Sequence, residues 1–130
     1  MTRIAESPEE LRAAFAKIPP GTGAIWLLPS NFLDSNYQLF VEASKTRRLP
    51  VSSSTAVFSS IKPFLSYGPD LETMGKQASR LVGMILSGIN PGDIPIEQAE
   101  FFLKINLAVA GELGIDVPKE ILQQAHEIIR

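Results

Sequence analysis

The sequence predicts an α/β fold built around a parallel sheet. Three observations carry this. A short apolar run, Ala24-Ile25-Trp26-Leu27-Leu28, lies between chain breakers, which suits a strand in a parallel sheet buried on both faces. A helical pattern follows, with Tyr37, Phe40, Val41 and Ser44 on one face. A second strand, Pro50-Val51-Ser52-Ser53, comes directly after, so strand, helix and strand form a βαβ unit.

The elements follow in order. Ser7-Pro8-Glu9-Glu10 is a helix start: Ser7 can cap, Pro8 suits the first turn and Glu10 completes a capping box. Leu11, Ala14, Phe15 and Ile18 continue at helical spacing until Pro19-Pro20-Gly21. After the first strand, Pro29-Ser30-Asn31 is a loop, and one helix is expected from about Leu33 to Thr46. Arg47 and Arg48 then lie at its C-terminal end, where cations are favoured. The small, polar stretch from Ser52 to Ser60, interrupted by Val57 and Phe58, reads as a loop or crossover. Phe64 to Tyr67 is a short strand. Gly68-Pro69-Asp70 opens a long helix whose apolar stripe is Met74, Ala78, Leu81, Val82, Ile85 and Leu86. Gly88 ends it, and Asn90-Pro91-Gly92 is a turn. A strand is expected from Glu100 to Ile105, with Asn106 capping a short helix that stops at Gly114. A final helix runs from Pro118 through Ile128, with Ile121, Leu122, Ala125 and Ile128 or Ile129 as its stripe.

Composition excludes several functions. A net charge of -2 leaves no basic surplus for phosphates, so no nucleic-acid partner is expected, nor a polybasic membrane contact. With no cysteine there is no disulfide, thiolate nucleophile or zinc–thiolate site. The single histidine, His126, reads as a solvated residue of the last helix. No Walker loop or GxGxxG fingerprint occurs, and Gly21-Thr22-Gly23 reads as a turn. No catalytic residue, metal site or cofactor is therefore expected, and the chain does not read as an enzyme. No apolar run is long enough for a membrane span. The N-terminus shows no signal-peptide pattern, so either the protein is cytosolic or Met1 is not the natural start of an exported chain.

Several segments carry a family resemblance. Leu65-Ser66-Tyr67-Gly68-Pro69-Asp70-Leu71 with Gly75 resembles the "(S)YGPD…G" segment of ABC-transporter solute-binding proteins. Ile85 to Glu97 resembles that family's "ILkGxxPxDIPvE". Leu103-Lys104-Ile105-Asn106-Leu107 resembles "xxINLxxA", and Leu113 to Pro118 resembles "LGLxIP". Upstream, Ile25 to Asn31 takes the place of "aiyvptDN", and Arg48-Leu49-Pro50-Val51 resembles "kIPVf". The pieces occur in the family's order over nearly the whole chain.

The resemblance implies a type I periplasmic-binding-protein fold, in which two α/β lobes flank a cleft. The chain is then one three-layer lobe with the first lobe largely missing. Residues 1–66 and 95–130 would be second-lobe-like, and 67–94 would hold a helix that packs on the first lobe. The crossing would lie near Ser54 to Tyr67. Such a helix exposes its stripe unless it is covered, so a homodimer with swapped elements, or a first lobe supplied by another chain, is expected. The implied function is binding a small-molecule solute for an ABC permease, in the periplasm or outside the cell. The alternative is a ligand-sensing module of a signalling protein with the same fold.

Ligands in such folds sit at the carboxyl ends of strands. Three places qualify: Ser30, Asn31 and Phe32; Ser53, Ser54 and Thr55; and Tyr67 with Asp70. Each has a structural alternative. Asn31 can be a cap or turn residue, the serines a crossover, Asp70 a helix-dipole partner and Tyr67 a core ring. In the resemblance, Asn31 stands where relatives often carry an aspartate suited to a ligand ammonium. A neutral amide cannot supply that charge. A neutral or differently charged ligand, stacked on Phe32, is therefore expected.

Overall fold

The computed structural model describes residues 5–54 and 63–130. Thr55, Val57, Phe58 and part of the expected crossing lie outside these residues.

Helix α1, Pro8–Ala16, starts as its sequence dictates: the Ser7 hydroxyl accepts from the Glu10 amide at 3.2 Å. The return arm of the capping box is displaced by one residue, since Glu10 accepts from the amide of Glu6, not that of Ser7. Strand β1, Ile25–Leu27, is followed by α2, Asn31–Ser35, and α3, Tyr37–Arg47. The single helix expected from Leu33 to Thr46 is thus two. The break is at Asn36, whose side-chain amide shares the Phe32 carbonyl, at 2.8 Å, with its own backbone amide at 3.2 Å, and whose backbone (φ -108°, ψ 20°) leaves the helical range. At the end of α3, Arg48 adopts a left-handed conformation with φ 53°. The turn is locked by the Leu49 amide donating to the Ser44 carbonyl and the Ser44 hydroxyl donating to the Leu49 carbonyl. Arg47 reaches back to the Ala16 carbonyl at 2.7 Å and so caps the end of α1.

Strands β2, Val51–Ser53, β3, Leu65–Pro69, β4, Phe101–Asn106, and β5, Glu127–Ile129, complete a five-stranded sheet in the order β1-β2-β3-β4-β5. The sheet is mixed. β1, β2 and β3 are mutually parallel, as are β4 and β5, but β3 and β4 run antiparallel. The expected α/β fold on a mostly parallel sheet is thus present, with one antiparallel pair, because the excursion from Asp70 to Glu100 brings the chain back in the opposite sense. α4, Leu71–Leu86, occupies this excursion, followed by a 3₁₀ turn, Pro91–Asp93. α5, Leu107–Leu113, is capped by Asn106, whose side chain accepts from Val109, and stops at left-handed Gly114.

The last helix, α6, spans only Lys119–Gln124. The helix expected to continue through Ile128 gives way to β5. Register with β4 overrides helical periodicity: Ile128 pairs with Ile105, and the His126 amide donates to the Leu103 carbonyl. His126 therefore lies in the turn before β5, not on a helix. It is exposed, and its ring stands 4.5 Å from that of Phe102.

The core lies between one sheet face and helices α1 and α3, and contains Leu11, Leu27, Tyr37, Leu39, Phe40 and Val51. Burial of β1 on both faces is not observed. Leu27 is buried, whereas Trp26 points the other way and is 51% exposed. Replacing Leu27 with Ala should destabilise the fold by about 2–5 kcal/mol, because the buried side chain leaves a cavity. Denaturant unfolding of the variant and parent, with m-values compared, measures it.

Candidate functional site

The carboxyl ends of the parallel strands form one edge. Leu27, Ser53, Ser66, Lys104 and Glu127 are successive partners in one row across the sheet. Ser54 joins the first two strands there, its amide and hydroxyl both directed at the Leu27 carbonyl, at 3.4 and 3.5 Å. The chain leaves β1 at this edge, so the Ser30 and Ser53 groups belong to the same end of the sheet. Ser30 is the N-cap residue of α2 but makes no side-chain cap bond. Asn31 is exposed and opens α2, and its amide is hydrogen-bonded to no described residue. These two polar groups remain available at the edge. Ser53 is buried in β2 and Ser54 is half-buried. Phe32 is half-buried, and its ring packs against the core cluster, so it anchors α2.

Tyr67 and Asp70 sit farther along, where β3 extends beyond β2. Tyr67 faces away from Ser66, is half-exposed, and stands 5.5 Å from the Phe101 ring. It is not a core ring. The Asp70 carboxylate is the N-cap of α4: one oxygen accepts from the Thr73 amide and hydroxyl, each at 3.1 Å. The other lies 3.8 Å from the Lys104 ammonium, which also pairs with Glu127 at 2.9 Å. These donors, the Thr73 amide first and the Lys104 charge further down, hold the Asp70 carboxyl below its usual range. Asp70 is thus occupied structurally.

Two residues escaped the sequence reading. Ser66 is fully buried, and its hydroxyl has no hydrogen-bond partner among the described residues. Lys104 is the cation that ties β3, β4 and β5 together. Ser66 could have been suspected from its place beside Tyr67, but Lys104 carries no local signal, because its partners are distant in sequence. Among the described residues no cluster of His, Cys, Asp or Glu could hold a metal ion, and no helix is long and apolar enough to cross a membrane.

The family model for ABC transporter substrate binding proteins matches residues 1–129. The chain belongs to that family. Its members bind substrates and are not catalysts. No curated protein matches the chain. Among solved structures, a conserved domain protein from Vibrio cholerae O1 biovar El Tor is 26% identical, with a TM-score of 0.74 over 95% of this chain. An ABC domain from Streptococcus pneumonia, in complex with L-Trp, is 23% identical with a TM-score of 0.72 over 94% of this chain. A ligand-free, open substrate-binding protein with adhesive properties from Clostridium difficile is 14% identical with a TM-score of 0.74 over 95% of this chain. The chain spans only 42%, 41% and 41% of those three proteins, which agrees with a C-terminal portion of the periplasmic-binding-protein fold.

The Asp70 cap gives the family-specific "YGPD" segment a measurable signature. A carboxyl held low in the folded state binds fewer protons than it does unfolded, so it stabilises the fold above the unfolded value of about 3.9 and loses this as pH falls through the folded value. Glu97, held low first by a hydrogen bond from Arg80, acts in the same direction. Thermal unfolding followed from pH 7 down to pH 2 should show a stability loss beginning below about pH 4, and Asp70→Asn should make that loss smaller.

Proposed function

We propose that this chain supplies one wall of a solute-binding cleft in an ABC import system, binding a small molecule without chemistry. The observation that carries the reading is the carboxyl edge of β1–β3, where the side chains of Ser30 and Asn31 make no hydrogen bond to a described residue, in a chain of the substrate-binding family. An ABC permease is the partner, and the periplasm or cell exterior is the compartment. Residues 1–66 and 95–130 act as the second lobe, and 67–94 carries the helix destined for the first.

The bound solute is small and is not a zwitterionic amino acid. One solved relative is in complex with L-Trp. Here the position suited to a ligand ammonium holds Asn31, whose amide can bond to a neutral group but cannot pair with a charge. Ser53, Ser54 and Tyr67 supply further polar contacts, and Phe32 supports the loop from behind. In a calorimetric screen of the protein with both walls present, Asn31→Ala should weaken the bound neutral solute about three- to tenfold. Tight binding of a zwitterionic amino acid would overturn the charge argument.

The other wall lies outside residues 1–130, and residues 1–130 taken alone gain a cover for α4 from a second copy with swapped elements or from another chain. None of the residues of α4 is buried, and its stripe leaves Val82 52% and Leu86 82% exposed. Contiguous apolar surface of this kind favours association. Light scattering should find the chain associated, and Val82→Glu with Ile85→Glu should shift it to monomer while circular dichroism keeps its helix signal. A parent chain that is strictly monomeric with α4 folded would sink this reading.

A further inference from the structure

A groove separates α3 from α5. Its floor is apolar, formed by Val41, Val51, Phe64, Val109 and Leu113, and its volume is about 260 Å³. It lies at the amino-terminal end of the parallel strands. Val51 opens β2, Phe64 precedes β3, and α5 follows the end of antiparallel β4. The candidate solute edge, at Ser30, Asn31 and Ser54, is at the opposite end of the same strands.

Tyr37 lines this groove and is only 6% exposed, yet its hydroxyl donates to no described residue. The hydroxyl itself is not enclosed, so it is reached from the groove and is open to the polar group of a ligand. Burial also pushes this phenol up to about 12, so it stays neutral and remains a donor. The neighbouring Ser44 hydroxyl does not serve it, since it donates to the Leu49 carbonyl.

The size and charge of the groove narrow the occupant. An apolar cavity of about 150 Å³ is enough to admit benzene, so this groove has room for one or two fused rings. Lys45 on the α3 rim and Glu112 on the α5 rim carry opposite charges, which leaves no net field to favour an ion. An apolar floor with a few convergent polar groups, here Tyr37 with Gln38 and Ser44 beside it, is the usual make-up of a small-molecule pocket.

We propose that the α3–α5 groove is a second ligand site, taking a neutral mono- or bicyclic molecule whose single polar group bonds to the Tyr37 hydroxyl. It is separate from the solute edge and is formed entirely by residues 37–113. The probe is 1-naphthol, with 1-naphthalenesulfonate as the charged counterpart, titrated into the isotope-labelled chain and followed by NMR. Saturable shifts are expected at Tyr37, Val41, Val109 and Leu113, with the sulfonate binding at least tenfold more weakly. Tyr37→Phe should weaken 1-naphthol about fivefold. Val109→Phe, which fills the groove from a half-exposed position, should abolish binding while leaving the spectrum folded. Absence of saturation, as expected for a groove that holds only water, overturns the proposal. So do shifts confined to the α4 stripe, or unchanged affinity in Tyr37→Phe.

Discussion

The antiparallel pairing of β3 with β4 is the constraint on which the rest of the structure depends. Five residue pairs, from Leu65 with Ile105 to Pro69 with Phe101, return the chain to the sheet after the α4 excursion. Without this ribbon β4 has no place beside β3, and β5 then has no strand to pair with. Closing so long a loop costs entropy that grows slowly with its length, so a few well-paired residues suffice to hold it. The ribbon also projects past β2, which carries Tyr67 and Asp70 away from the serine-lined edge.

Much of this was legible in the sequence because local chemistry and final structure agree. The Ser7 cap, the Asp70 cap, the Asn106 cap and the left-handed glycines at Gly88 and Gly114 all do what their residue types favour. The misreadings arose where non-local pairing decides. Ile128 and Ile129 fit a helical stripe on spacing alone, but they are β-branched and meet a waiting strand edge at Ile105 and Asn106. The antiparallel sense of β4 is likewise invisible locally, since an alternating strand reads the same in both directions. Asn36 is a subtler case. Its side chain and its backbone amide share the Phe32 carbonyl, and the sequence does not reveal that the helix ends there.

At the candidate edge, sequence order does not reveal how each polar group is spent. The side chains of Ser30 and Asn31 make no hydrogen bond to a described residue. Asp70 is consumed by Thr73 and Lys104, because a helix N-terminus emerging from a strand must satisfy its amides, and the nearest carboxylate does so. Phe32 illustrates the opposite outcome: an aromatic residue beside a candidate loop is claimed by the core when its helix has few other apolar residues to bury.

The position of α4 follows from which forces are absent. It contributes no buried residue, and its described links to the rest of the chain are polar: the Asp70 cap, the hydrogen bonds of Gln77 to Glu97 and Gln98, and the Arg80–Glu97 pair. Exposed pairs of this kind contribute about 0–1 kcal/mol each and are screened by salt. An apolar stripe of several leucine-sized side chains is worth more, about 1.5–3 kcal/mol for each one fully buried. The polar links therefore tether α4 to the segment leading into β4, and the surface that covers the stripe sets where the helix finally lies. α4 is thus tied down by polar links, from its Asp70 cap to Arg80, while its apolar stripe stays uncovered among the described residues.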